Sequence, residues 1–265
     1  VSQKKTRRTK PKEQSITGLS CQTDLFAQPT APMRAKSALK PKTDRQREYI
    51  SSLNHNKITF AVGPAGTGKT YVAARVAADM FKKKTIEKIY LTRPAVESGR
   101  PIGFLKGTME EKMAPYIAAY GRGFNDGLGQ GHFEYLMRSG QIEIVPLNFM
   151  QGRSFDEPSM VLFDEAQNST VDEMKMFLTR LGEGARYCID GDPKQCMLAK
   201  NEKSGLIDGF EKIRYLETVG AVTFTRQDIV RHGLVRLILD AYDDPESAEN
   251  VEGSNVVTLP DFITT

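Results

Sequence analysis

Cysteine is scarce in this 265-residue chain. Cys21, Cys188 and Cys196 are an odd number without metal-ligand spacing, which argues against a disulfide framework and for a reducing compartment. Long apolar runs are missing as well. None approaches the roughly 20 residues that cross a bilayer, and the N-terminal residues lack the apolar stretch of a secretory signal. The expectation is a soluble cytoplasmic protein without a membrane partner. No internal repeat is found, and the length suits one good-sized α/β domain rather than two with tails.

Acidic residues are nearly absent from the first 47 positions, which hold twelve Lys or Arg against three Asp or Glu. That segment is +9 in a chain of net +4, so the remainder carries −5. A stretch beginning VSQKKTRRTKPK, followed by Ser, Thr and Pro, buries too little apolar surface to offset the entropy of ordering it. Residues 1–44 are therefore expected to be a disordered basic tail. Three readings of it stay open: an electrostatic arm for nucleic acid or another polyanion, a solvated tail, or an anchor that folds on a neighbouring subunit. Residues 45–243 are expected to form the domain, and 244–265 a second tail without an assigned role.

Within the domain, short apolar runs alternate with helical patterns. Asp44 is a candidate N-cap for a short helix. ITFAVG (58–63) is a short apolar run ending in glycine, as in a buried parallel strand, and a helix follows over 69–83 with Val72, Val76 and Met80 at helical spacing. Further strands are read at 88–92, 143–147, 160–165, 185–191 and 221–224, and helices at 171–181, 203–212 and 227–242. This alternation predicts an α/β fold with a mostly parallel sheet and helices on both faces. Residues 95–140, rich in glycine and polar residues, fit it poorly and read as a long insertion of short helical pieces, placed where parallel sheets build substrate sites.

GPAGTGKT (63–70) satisfies G-x-x-x-x-G-K-[ST] between a predicted strand and a predicted helix. Gly63, Gly66 and Gly68 let the backbone turn its N–H groups inward as an anion nest, reinforced by the helix N-terminus. Gly63, Pro64, Ala65, Gly66, Thr67, Gly68, Lys69, Thr70 and the following Tyr71 are thus the expected ATP site. Lys69 reaches the β- and γ-phosphates, and the Thr70 hydroxyl serves Mg2+. VLFDEAQN (161–168) places Asp164, a magnesium ligand, and Glu165, the activator of water, at the end of an apolar strand. In IDGDPKQ (189–195), Gln195 is placed to sense the γ-phosphate, while Asp192 either caps the following turn or holds a catalytic water.

GPAGTGKT, LTRPAVESG (91–99), IGFLKGTMEEKM (102–113), LFDEAQN, MKMFLTRLG (174–182), GDPKQ and DIVRHGLV (228–235), in that order, resemble the PhoH family of P-loop ATPases across roughly residues 45–243. The resemblance implies a RecA-like core similar to the first motor domain of superfamily 1 helicases. It also implies occurrence in bacteria and phages, and a link by name to phosphate starvation and, in some relatives, to RNA unwinding. Lys106 departs from it, standing where the family usually has proline. Further roles follow from the resemblance alone. Gln46 either reads the adenine edge or faces solvent, and Arg93 either contacts a nucleic-acid phosphate or pairs with a nearby acid. Arg231 and Arg180 are the candidates for an arginine finger, and His232 is a capping or packing residue.

The expected function is Mg-dependent ATP hydrolysis coupled to binding, translocation on or unwinding of single-stranded RNA or DNA. A RecA-like site needs an opposing face, and one such face per chain points to a homo-oligomer closed by cyclic symmetry, a hexameric ring, against a monomer that pairs only transiently with another protein. The alternative is an ATP-dependent switch or scaffold that regulates a partner without nucleic acid. A small-molecule kinase is disfavoured by the helicase-like DEAQ and GDPKQ motifs.

Overall fold

The computed structural model describes residues 35–36, 38–94, 96–97, 100–101, 109–199 and 201–230. Six parallel strands form its centre: β1 (Ile58–Val62), β2 (Lys88–Thr92), β5 (Ile142–Ile144), β6 (Ser159–Phe163), β7 (Ala185–Gly191) and β8 (Val219–Thr223). Their order is β5-β2-β6-β7-β1-β8, and every pairing is parallel. A short antiparallel ribbon, β3 (Val96–Glu97) with β4 (Arg100–Pro101), follows β2. Side chains alternate across the sheet as a two-residue period requires. Ile89, Leu91, Met160, Leu162 and Cys188 enter one core, and Tyr90, Val161, Phe163, Tyr187 and Ile189 enter the other.

The first core is covered by α1 (Asp44–His55), α2 (Lys69–Lys82), α3 (Met109–Leu128) and α4 (Gln130–Arg138). The second is covered by α5 (Val171–Leu178) and α6 (Gly205–Ile213). Local signals set the helix starts. Thr43, not Asp44, is the N-cap of α1, its hydroxyl accepting from the Gln46 N–H; Asp44 lies in the first turn. Thr170 and Glu173 close a reciprocal capping box at the head of α5. The strands and helices read from the sequence are present with ends moved by a few residues, as at β5 and α5. The exception is the helix expected over 227–242. Residues 226–228 form a single 3₁₀ turn instead, 229–230 are not helical, and residues 231–242 lie outside the described residues.

The insertion is the main correction. Its second half is not a set of short pieces: α3 runs for 20 residues, and α4 follows almost at once. The glycines that read as loop signals are a packing device. Gly123 and Gly127, one helical turn apart, face the alanines of α2. A Cβ on Gly123 would stand 2.6 Å from the Ala74 Cβ and 2.9 Å from the Tyr71 carbonyl oxygen, and one on Gly127 2.6 Å from the Ala78 Cβ. Small residues on both helices let the backbones approach, and this seats α3 beside the loop that precedes α2. No helix among the described residues is long and apolar enough to cross a membrane.

Gly123→Val should therefore cost about 1–3 kcal/mol of stability through overpacking. Gly121→Ala, where an added Cβ meets nothing within 4 Å, should be neutral or stabilising. Urea unfolding of both variants checks this; equal effects would mean that α3 does not pack on α2 through this face.

Candidate nucleotide site

The cleft lies where β1, β6 and β7 end and α2 begins. It encloses about 690 Å³. Between β1 and α2 the chain passes through Gly66 and Gly68 at φ of 85° and 86°, left-handed conformations that glycine adopts without a Cβ penalty. The buried Lys69 ammonium donates to the carbonyl oxygens of Gly63 (2.7 Å) and Pro64 (2.9 Å). Burial lowers its pKa, opposed by the negative charges of Asp190, Asp192, Asp164 and Glu165. Thr67 braces the loop from within, its hydroxyl bonding the Pro64 carbonyl at 3.1 Å.

Gln46 is buried, not solvent-facing. Its amide N–H donates to the Thr67 carbonyl at 2.8 Å, and its amide oxygen accepts from the Lys42 N–H at 2.8 Å. It thus joins the approach to α1 to the glycine-rich loop, and it also lines the cleft. Tyr71, first residue after the motif, donates its hydroxyl to Asp126 of α3 at 2.9 Å, and the Arg122 guanidinium stands 6.0 Å from its ring. Lys36, inside the segment expected to be tail, also bonds Asp126 at 2.9 Å. Ala65 and Tyr71 both face the cleft.

Opposite the loop, β6 delivers two acids. Asp164 is buried, with the Thr70 hydroxyl 3.4 Å from its Oδ1. Burial first, and the neighbouring Glu165 second, raise its pKa. A carboxylate and a hydroxyl on one wall are hard oxygen donors, and a carboxylate disfavoured by desolvation gains from a cation beside it, so the pair fits Mg2+. Glu165 has φ 53°, a left-handed conformation uncommon outside glycine and a form of backbone strain that clusters at functional sites. Arg93 Nη2 lies 3.3 Å from one of its carboxylate oxygens, and Gln167 Nε2 lies 2.5 Å from the other. Of the two readings left open for Arg93, the ion pair is the contact observed.

Gln167 was not singled out in the sequence, although it is the last letter of DEAQ. It is fully buried, and its amide oxygen accepts from the Asp192 N–H at 3.0 Å. One side chain therefore spans the turns after β6 and β7. Asp192 caps its own turn, accepting from the Lys194 N–H at 3.1 Å and from the Gln195 amide at 3.0 Å. Gln195 is exposed on the cleft wall. Arg180 is elsewhere: its Nε donates to the Met176 carbonyl at 3.3 Å just after α5, and it does not line the cleft. Arg231 and His232 lie outside the described residues.

A glycine-rich loop with a buried lysine follows β1, and an acid pair ends β6, separated from β1 by the single strand β7. These features define a RecA-like P-loop NTPase. Within that class the chain belongs to the PhoH-like protein family, whose model matches residues 38–243. It is 46% identical over 206 residues to the PhoH-like protein of Bacillus subtilis, covering 78% of this chain and 64% of that one. It is 40% identical over 220 residues to the PhoH-like protein of Mycobacterium tuberculosis, covering 82% and 62%. It is 38% identical over 211 residues to protein PhoH of Escherichia coli K12, covering 79% and 59%. The chain thus spans less than two thirds of the length of each of these relatives.

Beneath the cleft, Asp190 of β7 is wholly enclosed. The Tyr49 hydroxyl donates to it at 2.6 Å, and the Cys188 thiol lies 3.5 Å away. Burial pushes its pKa up to about 7 from 3.8. Between those values the folded chain holds a proton that the unfolded chain has lost. The contribution to stability is thus fully present below pH 3.8, is lost as pH rises towards 7, and levels off above. Urea midpoints of the ligand-free protein should fall between pH 5 and pH 8, and Asp190→Asn should flatten that fall. An unaltered slope in the variant would assign the pH dependence to other groups.

Proposed function

We propose that this chain binds ATP with Mg2+ and hydrolyses it, using the energy to bind, move along or unwind single-stranded RNA or DNA. The observation that carries the hydrolytic part is the strained, cleft-facing Glu165 directly after the buried Asp164. Lys69 exchanges its loop carbonyls for the β- and γ-phosphates, and Asp164 with Thr70 would hold the metal. When bound, Mg2+ supplies neutralisation of the phosphate charge. Glu165 orients a water and accepts its proton. Gln195, on the cleft wall and tied to Asp192, senses the γ-phosphate. Gln46 steadies the loop beside the base. The family and the helicase-like motif order support the nucleic-acid part as analogy.

The described residues present one RecA-like face, so in this reading a second copy supplies the other, within a cyclic homohexamer. Arg180, outside its own cleft, and Arg231 are the arginines proposed to act across such an interface, where a finger accelerates phosphoryl transfer by about a thousandfold or more. A switch or scaffold without nucleic acid would differ in one respect: RNA or DNA would leave its ATPase rate unchanged.

Lys69→Ala should abolish ATP binding, whereas Glu165→Gln should retain binding and lose turnover. Equilibrium binding of a fluorescent ATP analogue alongside phosphate release separates the two, and near-normal turnover by Glu165→Gln would remove that residue as the base. For the interface, Arg231→Ala and Lys69→Ala proteins, each inactive alone, should regain activity when mixed. Some interfaces then pair an intact loop with an intact finger; no recovery in demonstrably mixed oligomers would refute the role of Arg231.

A further inference from the structure

The Glu165 carboxylate is engaged on both sides. Each of its carboxylate oxygens already has a partner, Arg93 Nη2 in an ion pair at 3.3 Å on one side and the donating Gln167 amide at 2.5 Å on the other. The two donors differ in kind. Gln167 is fully buried and fixed by its second bond to the Asp192 N–H, so its contact is part of the scaffold. Arg93 follows directly on β2 and is reachable from solvent, with its side chain 22% exposed against 30% for Glu165. Both line the cleft. Its charge also acts on Asp164, so one guanidinium influences both acids of the site.

We propose that Arg93 is a phosphate-responsive clamp on Glu165. The guanidinium holds the carboxylate while no phosphate is near, and a phosphate that draws Arg93 away frees Glu165 to activate water. The exchange is favourable in kind. A partly exposed ion pair at 3.3 Å is modest, whereas a phosphate offers a guanidinium two parallel charge-assisted hydrogen bonds. Gln167 stays in place through the exchange, so the released carboxylate keeps its position while losing its cationic partner. The releasing phosphate has two possible sources, the backbone of a nucleic-acid strand lying over the end of β2 or the γ-phosphate of the bound nucleotide. The strand is the source expected if ATPase activity responds to nucleic acid. This inference rests on the proposed role of Glu165 as the base.

The test uses Arg93→Gln in the full chain, which removes the charge but keeps a hydrogen-bonding side chain, assayed for phosphate release with and without single-stranded RNA or DNA. The expected result is a basal rate raised about two- to fivefold, on the order of what a surface ion pair is worth, with little change in KM for ATP and no further stimulation by RNA or DNA. A basal rate equal to or below that of the wild type overturns the clamp. Stimulation of the variant by the wild-type factor overturns the strand as the releasing source. A wild type that hydrolyses ATP without responding to RNA or DNA removes the nucleic-acid reading alone. A raised basal rate in Arg93→Gln would then still support the clamp, without a nucleic-acid strand as the releasing anion. Full turnover by Glu165→Gln removes both the base and its clamp.

Discussion

A buried ammonium group facing four carboxylates is the interaction on which the site depends. Lys69 sits under the loop after β1, and Asp164, Glu165, Asp190 and Asp192 all act on it. That convergence is a consequence of strand order: β6 and β7 lie next to one another and β7 lies next to β1, so the ends of all three meet at one point. Desolvation penalises every charge placed there; Lys69 offsets part of that penalty for Asp164 and Asp190, while the neighbouring acids add to it. The lysine therefore finds carbonyl oxygens, Asp190 shares a hydrogen bond with Tyr49, and Asp164 faces a hydroxyl. An incoming polyphosphate would complete this arrangement for Lys69 and worsen it for the acids, which is why the proposed chemistry includes a divalent cation beside Asp164.

The surrounding helices hold that arrangement through contacts of two kinds. The first face of the sheet is covered by close, small-residue packing, with the glycines of α3 against the alanines of α2, which brings Tyr71, Arg122 and Asp126 together at the mouth of the cleft. Single polar side chains then tie separate elements to the loop. Gln46 ties α1 to the loop, and Gln167 ties the end of β6 to the turn after β7. Such bridging amides are rigid because both ends are engaged and the group is enclosed. Glu165, Gln167, Asp192 and Gln195 are thus joined in one chain of hydrogen bonds.

Much of this was legible in the residues because the signals were local. A glycine-rich motif between a strand and a helix, and an acid pair ending an apolar strand, carry their structural context in consecutive positions. The alternation of strand and helix likewise followed from apolar periodicity. What escaped reading was long-range. Gly123 and Gly127 signal a loop by propensity, and only their alignment with Ala74 and Ala78 on another helix makes them packing residues. Gln46 looked equally able to face water, because its partner Thr67 lies 21 positions away. Gln167 bonds across 25 positions to Asp192, and the partner of Arg93 belongs to a different strand. Asp44 and Thr43 are both good caps, and the choice between them turned on which hydroxyl or carboxylate met the Gln46 N–H.

The most direct measurement is a structure of the full chain with Mg2+ and a non-hydrolysable ATP analogue. In it the Lys69 Nζ should leave the Gly63 and Pro64 carbonyls for the β- and γ-phosphates, with Asp164 and Thr70 flanking the metal. A nucleotide bound elsewhere, with Lys69 still on its own loop carbonyls, would contradict this assignment.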